Sequence, residues 1–209
     1  SCSGPNEEAQ AFLRDGLGFG CILVDPPWQF DKTVGRGALK YPTMEDHQIL
    51  DLPVDRLVAR RAHLWLWAVD VKLKLALRCV EEWGFVLVAS VPWVKTHGDT
   101  PDGDDPKLRR GVGNYLIKAH ELCLFATRGR PHTVEPALRP LSVILAARGL
   151  PSEKPHRVHE MAEAISPSPR LEMFARQQSF GWDCWPPNGK DARRWREWWR
   201  RDAAQVQAS

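Results

Sequence analysis

Long apolar runs are missing from this chain. None approaches the roughly 18 residues that a membrane-spanning helix needs, which excludes a helical membrane protein. Ser1 to Arg14 lacks a basic start followed by an apolar stretch, so no secretory leader is expected. Cysteines are few and scattered singly (Cys2, Cys21, Cys79, Cys123 and Cys184), with no Cys-x-x-Cys spacing. An odd, unpatterned set excludes a disulfide scaffold and a zinc finger and points to a reducing compartment, so a cytoplasmic protein is expected. Excess charge of one sign is absent too: 29 Lys and Arg face 26 Asp and Glu, a formal charge of +3, so any polyanion must be held by local cations. There is no G-x-G-x-x-G after a strand; Gly16-Leu17-Gly18-Phe19-Gly20 precedes one, which reads as a flexible lead-in over residues 1–20. What the chain does have is 209 residues with 43% apolar and 26% charged side chains, enough for one domain with a real core. Ten Trp stand beside only two Tyr.

Short apolar runs alternate with helical patterns. Strands are expected at Cys21–Val24, His63–Ala68, Phe85–Val94 and Glu121–Thr127, with shorter ones at Leu141–Ala147 and Leu171–Ala175. Val71 to Trp83 carries Leu73, Leu77 and Val80 on one face and stops at Gly84, which predicts an amphipathic helix. A second helix opens after Ser152 and Pro155, carries Val158, Met161, Ala162 and Ile165, and ends at Ser166-Pro167-Ser168-Pro169. Near-continuous apolar strands separated by helices imply an α/β domain, a mostly parallel sheet with helices on both faces. His97 to Asn114 is a long Gly-rich loop in which Asp99, Asp102, Asp104 and Asp105 precede Lys107, Arg109 and Arg110.

Asp25-Pro26-Pro27-Trp28 follows the first strand directly, where such sheets keep their ligands. An exocyclic amine is a poor nucleophile because its lone pair is delocalised into the ring. A carboxylate and a backbone carbonyl that accept its two N–H bonds draw that pair out of conjugation. Prolines carry no N–H and fix φ, so the turn presents acceptors rigidly. Trp28 adds a flat face on which an extruded base would stack.

These residues and those after them resemble the DPPW-type N6-adenine methyltransferases, named for the seventy-kilodalton catalytic subunit of the eukaryotic messenger-RNA enzyme, and above all the compact bacterial and phage members. Tyr41-Pro42-Thr43-Met44, Leu64-Trp65-Leu66-Trp67, Trp93-Val94-Lys95-Thr96 and His120-Glu121-Leu122-Cys123 follow in the family's order. So do Ser152-Glu153-Lys154-Pro155, the run from Ser166 to Arg176, Gly181-Trp182-Asp183 and Asn188. The resemblance implies a permuted Rossmann-like methyltransferase domain over residues 21–188, with S-adenosylmethionine as methyl donor and S-adenosylhomocysteine as product. It implies Asp25, Pro26, Pro27 and Trp28 as catalytic residues, and Ile22, Asp25, Lys154, Arg176, Gln178, Ser179 and Asn188 as cofactor contacts. Tyr41, Lys95 and Glu121 match positions near the target base; Lys107, Arg109 and Arg110 are the phosphate candidates of the long loop. One departure stands out: a His-Asn pair in the family corresponds to Gln177-Gln178-Ser179 here.

The expected activity is methylation of adenine N6 in nucleic acid, DNA rather than RNA by analogy with the compact prokaryotic members. An RNA N6-adenosine methyltransferase is the alternative, and a catalytically inactive nucleic-acid-binding subunit the second. Assembly as a homodimer or with a partner subunit fits the family. No metal is expected: His156-x-x-His159 has no third ligand nearby with suitable spacing. Residues 189–209 read as a basic helix whose Trp195, Trp198 and Trp199 dock on the domain while its arginines face phosphate.

Overall fold

The computed structural model describes residues 18–29, 43–98, 107–111, 115–131, 133–150, 152–175 and 179–185. The expected helix over 189–209, with Tyr41, Arg176, Gln178 and Asn188, lies outside the described residues. Seven strands form one sheet: β1 (Phe19–Val24), β2 (Val58–Ala68), β3 (Val86–Thr96), β4 (His120–Arg128), β5 (Ile144–Ala147), β6 (Arg170–Met173) and β7 (Asp183–Trp185). Their spatial order is β5-β3-β4-β2-β1-β6-β7. Neighbours pair in parallel except at β4, which runs antiparallel to both β2 and β3. Four α-helices accompany it: α1 (Asp46–Leu50), α2 (Val54–Leu57), α3 (Leu73–Glu82) and α4 (Arg157–Ile165).

Alternation along the central strands sends side chains into two cores. Ile22 and Val24 of β1 join Leu64 and Leu66 of β2, and α3 caps them with Ala76, Cys79 and Val80. Cys21 and Leu23 join Trp65 and Trp67 on the other face, under Val158, Met161 and Ala162 of α4. Burial on both faces is why these strands read as unbroken apolar runs, and the mostly parallel α/β sheet with helices on both faces is what the structure has. Cys21, Cys79, Cys123 and Cys184 are all free thiols inside the cores. Among the described residues no helix is long and apolar enough to cross a membrane.

Several boundaries differ from the sequence reading. β1 starts at Phe19, so Gly20 is a strand residue rather than part of a lead-in. A Cβ there would lie 2.8 Å from Pro167 Cβ and 3.0 Å from the Ser168 carbonyl oxygen; only glycine lets the 166–169 turn approach this closely. β2 begins five residues earlier than His63, and β5 is confined to Ile144–Ala147, leaving Leu141 exposed. α4 begins at Arg157, so Lys154 stands in the lead-in to the helix rather than in its first turn.

The connections also define where a ligand crevice lies. β1 leads to β2 on one side, whereas β6, its other neighbour, leads to β7 on the opposite side. β1 and β6 are thus followed by neighbours on opposite sides, and sheets of this kind bind ligands in a crevice outside the carboxyl ends of two such strands.

Candidate active site

The first loop at this crevice is Asp25-Pro26-Pro27-Trp28. Its backbone is stitched at every step. The Asp25 N–H donates to the Met173 carbonyl of β6 at 3.4 Å, and the Trp28 N–H closes a tight turn on the Pro26 carbonyl at 2.8 Å. The Met44 N–H takes the Pro27 carbonyl at 2.9 Å, which docks the segment after Tyr41 on the turn. The Pro26 oxygen keeps one lone pair for another donor.

Around Asp25 the structure assembles four charged side chains in alternating sign. Lys154 Nζ donates to Asp25 Oδ1 at 3.0 Å and lies 3.5 Å from Glu121 Oε2, while Lys95 Nζ holds Glu121 Oε1 at 2.5 Å. The four come from the end of β1, the start of β4, the end of β3 and the lead-in to α4. Because β4 runs opposite to its neighbours, its first residues reach the same edge as the last residues of β1 and β3. All four side chains are at least three-quarters buried. The Lys154 ammonium sits 5.4 Å from the Trp67 ring centroid, and that of Lys95 4.9 Å from Trp93.

Burial alone would raise the Glu121 carboxyl, but Lys154 and then Lys95 outweigh it and hold it below the ordinary carboxylate value. For Lys154 burial alone would favour the neutral amine. The carboxylates of Asp25 and Glu121 outweigh it and raise the ammonium above the ordinary lysine value. Lys154 thus enters chemistry as a firm cation with three donors, one on Asp25 and one directed to Glu121. The arrangement can hold the Asp25 carboxyl group in a fixed position while its second oxygen and the Pro26 carbonyl accept from an amine.

A family model described as MT-A70 matches residues 19–188 of this chain. The chain belongs to the MT-A70 family. It is 30% identical over 186 residues to the Arabidopsis thaliana N(6)-adenosine-methyltransferase MT-A70-like, covering 85% of this chain and 25% of that protein. It is 29% identical over 164 residues to the Homo sapiens N(6)-adenosine-methyltransferase catalytic subunit METTL3, covering 76% of this chain and 26% of that one. It is 26% identical over 185 residues to the type II methyltransferase M.MunI of Mycoplasma sp, covering 78% of this chain and 75% of that protein. The chain therefore spans about a quarter of the length of the first two relatives and three-quarters of the third.

Ile22 is fully buried in mid-β1, paired with Leu64 and Leu171, and its side chain belongs to the core beneath the site. Trp28 is only 5% exposed and its indole N–H donates to the Trp67 carbonyl at 3.2 Å, a bond that anchors the turn. Ser179 follows β6 and accepts from the Trp182 N–H at 3.2 Å through its carbonyl. Lys107, Arg109 and Arg110 are exposed beside β3: the Arg109 N–H bonds the Lys95 carbonyl at 2.7 Å, so this part of the long loop is paired backbone rather than structureless. His156 and His159 stack at 5.3 Å, with His159 on Glu172 at 2.9 Å and His156 on Glu160 at 3.4 Å.

Two participants escaped the sequence reading. Trp67 reads as a core strand residue, and only the fold places its ring under Lys154. Phe174, directly after β6, has φ +66, a strained left-handed conformation for a bulky residue, and its N–H donates to the Trp185 carbonyl at 2.7 Å. Its place in the run from Ser166 to Arg176 was legible, but not its backbone conformation.

Proposed function

We propose that this chain methylates adenine N6 in DNA with S-adenosylmethionine as donor. The observation that carries the reading is the Lys95–Glu121–Lys154–Asp25 alternation beside the DPPW turn, set at the switch-point crevice of a methyltransferase-family sheet. What supports DNA rather than RNA is the size of the relatives: over aligned stretches of about equal length, 185 and 186 residues, the chain spans 75% of the type II methyltransferase and 25% of the Arabidopsis N(6)-adenosine enzyme.

The donor set fits the cofactor. Asp25 borders the crevice, the third Lys154 donor is free to reach a carboxylate, and Ser179 lies on the loop after β6. Arg176, Gln178 and Asn188 complete the proposed cofactor contacts. When bound, the cofactor supplies an electrophilic methyl group.

The protein's own residues then align and activate the amine. Asp25 and the Pro26 carbonyl accept the two N6 hydrogens, which turns the nitrogen lone pair out of the ring and toward the crevice. Lys154 holds Asp25 in place through its 3.0 Å bond, and Glu121 with Lys95 fixes Lys154. On transfer of the methyl group from sulfonium to N6, which would leave S-adenosylhomocysteine, the proton shed by N6 would move along its hydrogen bond to Asp25 Oδ. Trp28 braces the turn, and Tyr41 is proposed to contact the target base.

Tritium transfer from S-adenosylmethionine to DNA and RNA oligonucleotides tests the activity. Asp25→Ala is expected to abolish transfer and leave cofactor affinity, measured by calorimetry, within a few fold. Substantial residual activity in that variant would show that Asp25 does not hold the amine.

A further inference from the structure

A short arm rises from the same edge of the sheet. Residues 107–109 run antiparallel to the end of β3, with His97 N–H to the Lys107 carbonyl at 3.0 Å and Arg109 N–H to the Lys95 carbonyl at 2.7 Å. Gly111 N–H meets the Lys118 carbonyl at 2.8 Å, and a Cβ at Gly111 would collide with that oxygen. Lys95 N–H takes the Ala119 carbonyl at 2.8 Å, and Lys118 is tied to Asp70 at 2.9 Å. The arm's base is thus fixed next to Lys95 and Glu121.

Its far end is apolar and bare. Tyr115 is 100% exposed, Leu116 81%, Ile117 48% and Leu108 50%. Consecutive large apolar side chains in water signal a contact surface. Exposed Lys107, Arg109 and Arg110 flank them, and among the described residues none of the three forms an ion pair. A second copy docking arm to arm would bring like charges together, whereas a nucleic acid supplies the opposite sign.

We propose that Tyr115 and Leu116 form a wedge that enters a DNA duplex as the target adenine is extruded. The inference rests on the activity proposed above and specifies how a paired base becomes available. An adenine inside a duplex cannot reach Asp25, so it must be flipped out, leaving a gap in the stack. Apolar side chains that insert at base steps stabilise such openings. Tyr115 lies six residues before Glu121, a reach of at most about 20 Å along extended chain, so the wedge and the site can engage one duplex together. The wedge lowers the cost of opening and takes no part in methyl transfer, so Tyr115 and Leu116 are positioning residues.

The test uses Tyr115→Ala, Leu116→Ala and the double variant on two duplexes. In one, the adenine that the wild type methylates is paired with thymine; in the other it faces an abasic site. At least a tenfold loss is expected on the paired duplex and less than twofold on the abasic one, with unchanged cofactor affinity. A 2-aminopurine at the target position should brighten on binding wild type and not the double variant. Equal losses on both duplexes, no loss on either, or a wild type that methylates single strands alone would overturn the wedge and leave the activity intact. A shift in sedimentation of the variants relative to wild type would assign the patch to a second copy instead and overturn it too. Absence of wild-type methyl transfer to any adenine oligonucleotide would defeat the underlying activity itself.

Discussion

At the scale of single residues, the site and the core use burial in opposite ways. Lys154 and Glu121 stay charged under cover because each has partners of opposite sign. His63 has none: burial pushes its imidazole down to about 4, with Nδ1 3.0 Å from the Ser166 hydroxyl, which also accepts from Trp65 Nε1 at 3.1 Å. A histidine held neutral when folded and free to protonate near 6.5 when unfolded gives the unfolded state more protons in that interval. Stability is therefore full above pH 6.5 and falls as pH drops toward 4. Glu121 adds to the loss once pH passes below the ordinary carboxylate value, whereas Lys154 contributes stability that is lost only in strong alkali. Thermal melts from pH 7 to 4.5 should show this decline. His63→Phe should flatten the slope even if its melting temperature at pH 7 is lower, because Trp65 still satisfies Ser166. An unchanged slope would move the acid sensitivity elsewhere. Residue identity was only half informative here: Asp25 and Lys154, singled out for their charge, meet in the structure, whereas an apolar letter such as Ile22 or Trp28 does not say which face it occupies.

At the scale of elements, legibility followed length. β1, β2, β3, β4, α3 and α4 are long or strongly patterned and were located within a few residues. β7, α1 and α2 have three to five residues, too few to display a period. The reversed direction of β4 left no trace in its apolar pattern, yet it is what carries Glu121 to Asp25. Close backbone approach is equally silent. Gly20 looks like one of several glycines, but it sits against Pro167 and Ser168, and its N–H bonds the Pro169 carbonyl at 3.0 Å. Gly20→Ala should therefore strain the contact between β1 and the turn before β6. A loss of roughly 1–3 kcal/mol is expected from forcing a methyl group into a filled space. Urea denaturation should register it as a lower midpoint with an unchanged slope. A neutral outcome would mean that the 166–169 turn shifts freely.

At the scale of the whole molecule, net charge conceals how charge is placed. The sum of +3 is nearly neutral, but within the described site Asp25, Glu121, Lys95 and Lys154 cancel one another and leave no excess for a polyanion. Lys107, Arg109 and Arg110 are different: they stand exposed on the paired arm beside the crevice mouth. Phosphate contacts by such cations release counterions, so each contributes up to about 0.9 to the slope of log affinity against log salt on duplex DNA. Replacing all three by Ala should weaken DNA binding and flatten that slope by up to roughly 2.7. Cofactor affinity and melting temperature should hardly move, because exposed charges add little to folding and the arm's bracing bonds run through backbone. Fluorescence anisotropy with labelled duplex at several salt concentrations measures the slope, and a melt on the same samples checks the fold. A slope equal to wild type would assign phosphate contact to the arginines of residues 189–209. A fall in melting temperature with an unchanged slope would show that these side chains hold the arm rather than the DNA.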